Sequence, residues 1–259
     1  MILLKTKEEI ALIRDAGQLL GKCIAEVGKH VRPGITTAYL DQIGEQYIRD
    51  HGAKPLCKGF EGFPSAFCIS VKEVVVHGIP SELFLKEGDN VSIDCVIEYN
   101  GYVADSSYTF AVGEVKPEVR RLMKVTREAL YIGLDQCKVG NRVGDISHAV
   151  QMHCEKNGYS VVRELCGHGV GFKMHEDPSV PNFGVKGTGP LLKEGMVLAV
   201  EPMVCMGSKN VVFSKEDGWT CSTRDRKPAA HYEHTVAITP EGPDILTTFD
   251  FIEKNIKES

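Results

Sequence analysis

Between Asn90 and Val112 the chain reads NVSIDCVIEYNGYVADSSYTFAV, and no other stretch restricts the fold as much. Two β-rich runs flank Asn100-Gly101, the dipeptide best suited to a two-residue hairpin turn with positive φ at both positions. Such a loop pairs Tyr99 with Tyr102, Val96 with Asp105 and Asp94 with Ser107. Asp94, Val96, Asp105 and Ser107 then share one face, because side chains alternate with a period of two. Asp94 and Asp105 become diagonal neighbours about 7–8 Å apart at Cα. Val91, Ile93, Cys95 and Ile97 make the opposite face apolar. Aspartate is disfavoured in strands, so two on one face need a reason. A solvated polar face, an acid pair for glycoside hydrolysis and a pair converging on a cation all remain open on the hairpin alone. Further ligands elsewhere would separate them.

Three more stretches carry such groups. Cys166-Gly167-His168-Gly169-Val170-Gly171 frames a histidine with three glycines. The pattern resembles a phosphate loop only superficially: no Gly-Lys-Ser/Thr follows, and the third glycine is misplaced for a dinucleotide fingerprint. A glycine-framed histidine reads better as an accessible ligand or catalytic group, with a plain turn histidine as the alternative. In Met196-Val-Leu-Ala-Val-Glu-Pro-Met-Val204, the acid Glu201 interrupts a run apolar enough for a buried strand. A buried carboxylate must be paired, hydrogen-bonded or metal-bound. Glu233 lies in a second β-favouring run, AAHYEHTVAIT. An internal ion pair would explain either glutamate by itself, but not four acids and a histidine all on predicted strands or a glycine-rich turn.

The rest of the chain reads as helices joined to these strands. Thr6-Lys7-Glu8-Glu9 fits a capping box, followed by apolar or small residues at helical spacing from Ile10 to Val27. Val31-Arg-Pro-Gly34 stops that helix; Thr36 or Thr37 starts another, which Gly52 ends. Residues 56–80 read as loop and short strands. Pro117 opens a third helix, Lys138-Val-Gly140 stops it, Asp145 is placed to cap a fourth, and Gly158 ends it. Gly34 and Gly140, Leu40 and Ile146, and Gly52 and Gly158 are each 106 positions apart. This offset predicts an internal repeat, hence one α+β domain over residues 1–259 built of two pseudo-symmetric halves.

Composition narrows the compartment and partners. A net charge of -5 over 259 residues implies no basic face, so no sequence-specific nucleic-acid binding is expected. The nine cysteines are odd in number and never spaced Cys-x-x-Cys, which excludes zinc-ribbon and thioredoxin-like motifs. Each reads as a small buried hydrophobe. The N-terminus places its short apolar run before its charges, unlike a signal peptide. No stretch approaches the ~20 apolar residues of a membrane span. The expectation is a cytoplasmic, membrane-free protein with reduced thiols.

Taken together, Asp94 and Asp105, Gly-His168-Gly-Val-Gly, Glu201-Pro and Tyr-Glu233-His-Thr resemble the type I methionine aminopeptidases, pita-bread metallopeptidases of the M24 family. Val76-His-Gly-Ile-Pro80, Val161-Val-Arg-Glu164 and Asp217-Gly-Trp-Thr220 match the same family, and the resemblance covers essentially the whole chain. It implies the pita-bread α+β fold, two pseudo-symmetric halves around a central antiparallel sheet. It implies excision of an N-terminal methionine before a small second residue, by a hydroxide bridging two divalent metals. Asp94, Asp105, His168, Glu201 and Glu233 would hold those metals, with Asp105 and Glu233 bridging. Asp94 would complete one metal, and His168 with Glu201 the other. An oxygen-rich set with one imidazole suits Mn, Fe(II) or Co(II), Zn less distinctively, and is unlike a structural thiolate zinc.

By the same resemblance His77 and His175 face substrate and steady the tetrahedral intermediate, and Glu201 also shuttles a proton. Cys57, Phe60, Phe63, Cys68 and Trp219 would wall the methionine pocket. Phe60 and Phe63 stand where many relatives have Tyr, and Phe172-Lys-Met174 departs from the usual aromatic before the second histidine. His30, His51, His148, His153, His231 and His234 receive no role and are read as surface or core. Only 32 positions separate Glu201 from Glu233, too few for the type II insertion. Nothing rich in Cys or His precedes Thr6, as in the short bacterial form. The implied partners are nascent N-termini and, transiently, the ribosome; a monomer is expected. The rivals are a proline-directed aminopeptidase of the same fold, a non-catalytic pita-bread binding module, and a two-carboxylate glycosidase. The first usually has an extra N-terminal domain, the second loses metal ligands, and the third needs neither His168 nor Glu233.

Overall fold

The structure is a computed structural model that describes residues 1–258. Its first half holds helices α1 (Lys7–Gly28) and α2 (Thr37–Asp50), then strands β1 (Lys54–Pro55), β2 (Cys68–Val71), β3 (Val74–Val76), β4 (Asn90–Tyr99) and β5 (Tyr102–Ala111). The second half opens with α3 (Pro117–Leu134) and α4 (Val143–Lys156), followed by β6 (Ser160–Val161), β7 (Cys166–Gly169) and β8 (Glu176–Pro181). Then come β9 (Val197–Val200), β10 (Met203–Cys205), β11 (Val211–Phe213), β12 (Cys221–Thr223) and β13 (Ala229–His231). β14 (Glu233–Thr239), β15 (Gly242–Ile245) and α5 (Asp250–Glu258) complete it.

Local chemistry starts the helices. The Thr6 hydroxyl accepts from Glu9 N, and the Glu9 carboxylate accepts from Thr6 N, closing the capping box. Thr36 caps α2, and Pro117 sits in the first turn of α3. One expectation needs correction. Asp145 does not precede α4 but lies in its third position, where its carboxylate accepts from Arg142 N at 2.7 Å and Gly187 N at 2.9 Å. The helix therefore begins earlier, at Val143.

The 106-residue offset is structural. α2 and α4 begin 106 positions apart at residues 37 and 143, and α1 and α3 end 106 apart at residues 28 and 134. Gly34 and Gly140 both take positive φ after the first helix of each half, as do Gly52 and Gly158 after the second. A residue with a Cβ is strained in that conformation, so these glycines mark equivalent stops.

Both halves feed one antiparallel sheet of nine strands, ordered β1-β4-β5-β14-β9-β7-β8, with β2 added to β4 and β15 to β14. The hairpin register is the one Asn100-Gly101 sets: Asp94 pairs with Ser107, Val96 with Asp105 and Tyr99 with Tyr102. Val91, Ile93, Cys95 and Ile97 face the main core with α1 residues such as Leu20 and Ile24. The other face of the sheet carries Val96, Cys68 and Ala199 in a smaller apolar cluster, and there the polar residues converge.

Candidate metal centre and substrate pocket

Five neighbouring strands deliver the expected ligands to one place. Asp94 comes from β4, Asp105 from β5, His168 from β7, Glu233 from the start of β14, and Glu201 from the residue after β9. Cys68 on β2 pairs with Asp94, so the strand that carries a pocket wall also carries the candidate ligand's neighbour. Asp105 and Glu233 are buried, and Asp94, His168 and Glu201 nearly so. Gly167 permits the approach of β7: a Cβ there would lie 2.3 Å from the Ala199 carbonyl oxygen.

His168 Nε2 lies 3.6 Å from an Asp105 oxygen and 3.5 Å from a Glu201 oxygen. Its Nδ1 is 2.9 Å from the Gly169 carbonyl, which can only accept, so Nδ1 carries the hydrogen. Burial above all holds this imidazole down at about 4, so it is neutral at pH 7. A neutral Nε2 then turns a lone pair toward carboxylate oxygens. That arrangement is repulsive unless a cation or protons sit between them.

The acids show the same strain. Burial pushes Asp94 up to about 6, with the Glu201 charge adding and His231 opposing. Asp105 and Glu233 are raised well above the carboxylate range by burial first and by the other acids second. Glu201 is raised by burial. Asp105 Oδ1 and Glu233 Oε1 are buried without any hydrogen-bond partner. Unpaired buried acceptors are costly, about 1–3 kcal/mol each, and more when charged. Divalent cations would satisfy these oxygens and the His168 lone pair together, so the donor set fits them. Asp105, His168 and Glu233 place one donor atom each within 4.8 Å of one another.

The same geometry brings in one further histidine. His231, given no role from the sequence, ends β13 inside this cluster and is 1% exposed. Its Nε2 lies 3.6 Å from Glu201 and 4.0 Å from Glu233, and its Nδ1 lies 4.0 Å from Asp94. A signal existed: His231 and Glu233 are two residues apart, and alternation along extended chain sends both side chains to one side. His234 is a core histidine, as read: its Nδ1 is 2.6 Å from Thr247 Oγ1 and its ring stacks on Phe249 at 3.9 Å.

A cavity of about 690 Å³ opens beside the cluster. Cys57, Phe63, Cys68 and Trp219 line it as expected, together with His77, His175 and Met174; Phe60 sits at its exposed rim. Trp219 packs edge-on against Phe63 at 5.3 Å and against His77 at 5.9 Å. His175 stands at 4.5 Å from His168 and 5.2 Å from Phe60, centre to centre. The Cys68 thiol is held far above its usual range by the Cys57 thiol it bonds and by burial, so it behaves as an apolar wall.

His77 is held in an unusual way. Its φ is +57°, a conformation costly for a residue with a Cβ. The next residue, Gly78, bonds to β2 on both sides: its N–H donates to Ser70 Oγ at 3.1 Å, and its carbonyl accepts from Ile69 N at 2.8 Å. Burial lowers His77 to about 4, with His231 and His175 adding, so its ring is a neutral N–H donor at pH 7. On the far wall, Glu176 pairs with the buried Lys5 ammonium and accepts from the amides of Phe172 and Lys173, which fixes the chain around His175.

Residues 11–240 match the model of metallopeptidase family M24. A methionine aminopeptidase of Clostridium perfringens is 52% identical over 247 residues, covering 95% of this chain and 99% of that protein. The crystal structure of methionine aminopeptidase from Rickettsia prowazekii overlays with a TM-score of 0.95 at 40% identity, over 96% of this chain and all of that one. A prolidase from Pyrococcus furiosus shares the fold at 25% identity and a TM-score of 0.77, but this chain spans only 65% of it. With a family model, an end-to-end relative and a common pita-bread fold in agreement, the chain belongs to the M24 metallopeptidases, on their methionine aminopeptidase branch.

Proposed function

We propose that this chain excises the N-terminal methionine of polypeptides whose second residue is small, using two divalent ions held by Asp94, Asp105, His168, Glu201 and Glu233. The observation that carries this is the adjacency of two unlike surfaces. A cluster of partnerless buried donors lies against a cavity walled by Cys57, Phe63, Cys68, Met174 and Trp219. A methionine side chain is unbranched and polarizable, and its sulfur gains from aromatic edges such as Phe63 and Trp219. Its α-carbonyl then lies at the mouth, beside the donors.

Bound divalent ions would polarise the scissile carbonyl and make a water nucleophilic at neutral pH. Asp105 and Glu233, the most buried of the acids, would be shared between the ions. The Glu201 carboxylate takes the proton of the attacking water and returns it to the leaving amine. His77, neutral and held by its strained backbone, donates N–H toward the oxygen that gains charge. His175, on the opposite rim, donates to the peptide carbonyl and orients the chain beyond the cut. The side chain of the second residue meets His77, His175 and the rim, so a large one is rejected.

Residues 1–259 act as one catalytic domain, since one sheet draws strands from both halves. The partners are N-termini of nascent chains, reached in the cytoplasm by a monomer that visits the ribosome. Among the described residues, no helix is long and apolar enough to cross a membrane. The physiological ion is Co(II), Mn(II), Fe(II) or Zn(II).

The test is a peptide assay on protein loaded with each ion in turn. Methionine should be released from Met-Gly and Met-Ala peptides and not from Met-Lys peptides. Equal release from Xaa-Pro peptides, or none with any ion, refutes the proposal.

A further inference from the structure

We propose that His231 is itself a metal ligand, so that the centre carries two imidazoles, His168 for one ion and His231 for the other. This rests on the reading that the cluster binds divalent ions, and it adds a donor that the family motifs did not indicate.

The His231 backbone is fully engaged while its ring is not. Its N–H donates to Thr109 Oγ1 at 3.0 Å, and its carbonyl accepts from the same hydroxyl at 2.7 Å. Strand pairing sets His231 opposite Met203, two residues beyond Glu201. The ring is thereby carried into the cluster at 1% exposure, yet neither ring nitrogen has a hydrogen-bond partner. An imidazole needs a donor partner, an acceptor partner or a metal, and burial denies it water.

The distances favour a metal. Nε2 is 3.6 Å from Glu201 and 4.0 Å from Glu233, too long for hydrogen bonds. Donors bound to one ion at about 2.1 Å stand roughly 3–4 Å apart, which is this spacing. Glu201, His231 and Glu233 place one donor atom each within 4.8 Å of one another, as Asp105, His168 and Glu233 do separately. Glu233 belongs to both sets, and Glu201, as close to His168 at 3.5 Å as to His231 at 3.6 Å, would stand between the two ions. The two ions are then matched, each with one imidazole, and the second imidazole moves preference from Mn(II) toward Fe(II), Co(II) and Zn(II).

Proton NMR of the Co(II)-loaded protein in water tests this. A ring bound through Nε2 keeps an N–H on Nδ1, and the paramagnetic ion shifts that signal far outside the normal range. The wild type should show two shifted, exchangeable imidazole signals. His231→Gln should remove one and His168→Gln the other. Calorimetric titration of His231→Gln with Co(II) should show at least a tenfold loss of affinity at one of two sites. Glutamine keeps hydrogen-bonding capacity, so a mere hydrogen-bonding role for His231 would leave the titration near wild type. One shifted signal in wild-type protein, which requires no variant to fold, overturns the proposal while leaving the metal centre intact. No cobalt binding by the wild type overturns both readings.

Discussion

In metal-free protein the buried acids of the candidate site should oppose folding, and Asp94 sets the scale of the effect. The perturbation is Asp94→Asn in chelator-treated protein. Asp94 is raised from 3.8 to about 6, chiefly by burial. Between those values the folded state keeps a proton that the unfolded chain has lost. Stability therefore falls as pH rises through this window and stays low above it. The shift corresponds to about 3 kcal/mol in all, of which about 1.3 kcal/mol develops between pH 5 and pH 7. Asparagine does not titrate, so constant effects of the substitution cancel between the two pH values. Urea unfolding at pH 5 and pH 7 should show the variant gaining on the metal-free wild type by that increment at pH 7. Asp105, Glu201 and Glu233 are raised too, so the wild type's own slope should be steeper than Asp94 alone explains. Saturating Co(II) should reverse the trend, because ions bind the deprotonated donors and compete better as pH rises. A variant-minus-wild-type difference that is flat or shrinks from pH 5 to pH 7 refutes the reasoning.

Other substitutions probe separate parts of the site. Asp105→Asn should abolish activity and lower metal stoichiometry while circular dichroism stays native; two bound ions with normal turnover would contradict its bridging role. Trp219→Ala opens the methionine pocket and should lower kcat/KM about 10–200-fold for Met-Ala peptides, the range for a lost apolar contact in a specificity pocket. An unchanged kcat/KM would remove Trp219 from the pocket wall. Lys5→Met strands the buried Glu176 carboxylate and should cost about 3–5 kcal/mol in urea unfolding. Adding Glu176→Gln should recover part of that loss, and no recovery would show that the charge pair is not the cause.

The readable parts of this protein were those set by neighbours in sequence. Asn100-Gly101 admits one tight turn, and a period of two then dictates that Asp94 and Asp105 share a face; the observed register follows. Capping at Thr6 and Thr36 and the stops at Gly52 and Gly158 are likewise local. Asp145 was misplaced by three positions because a carboxylate can satisfy free amides from the cap or from the third helical residue, and both patterns look alike in sequence. His77 was found by resemblance, but its neutrality came from burial and its positive φ sits beside Gly78, which is seated against β2, and both depend on contacts between segments.

His231 marks the boundary most clearly. In sequence it is one of nine histidines, in a strand where a core histidine such as His234 reads the same. The two sit on strands of different sheets, and different groups lie across from them: Thr247 and Phe249 for His234, Glu201 and Asp94 for His231. Sequence alone determined the hairpin, the repeat and most helix limits and, by resemblance, five candidate donors. The tertiary structure decided which buried groups have partners, since burial and pairing depend on strands far apart in the chain meeting in one sheet. That accounting left the ring of His231 with none.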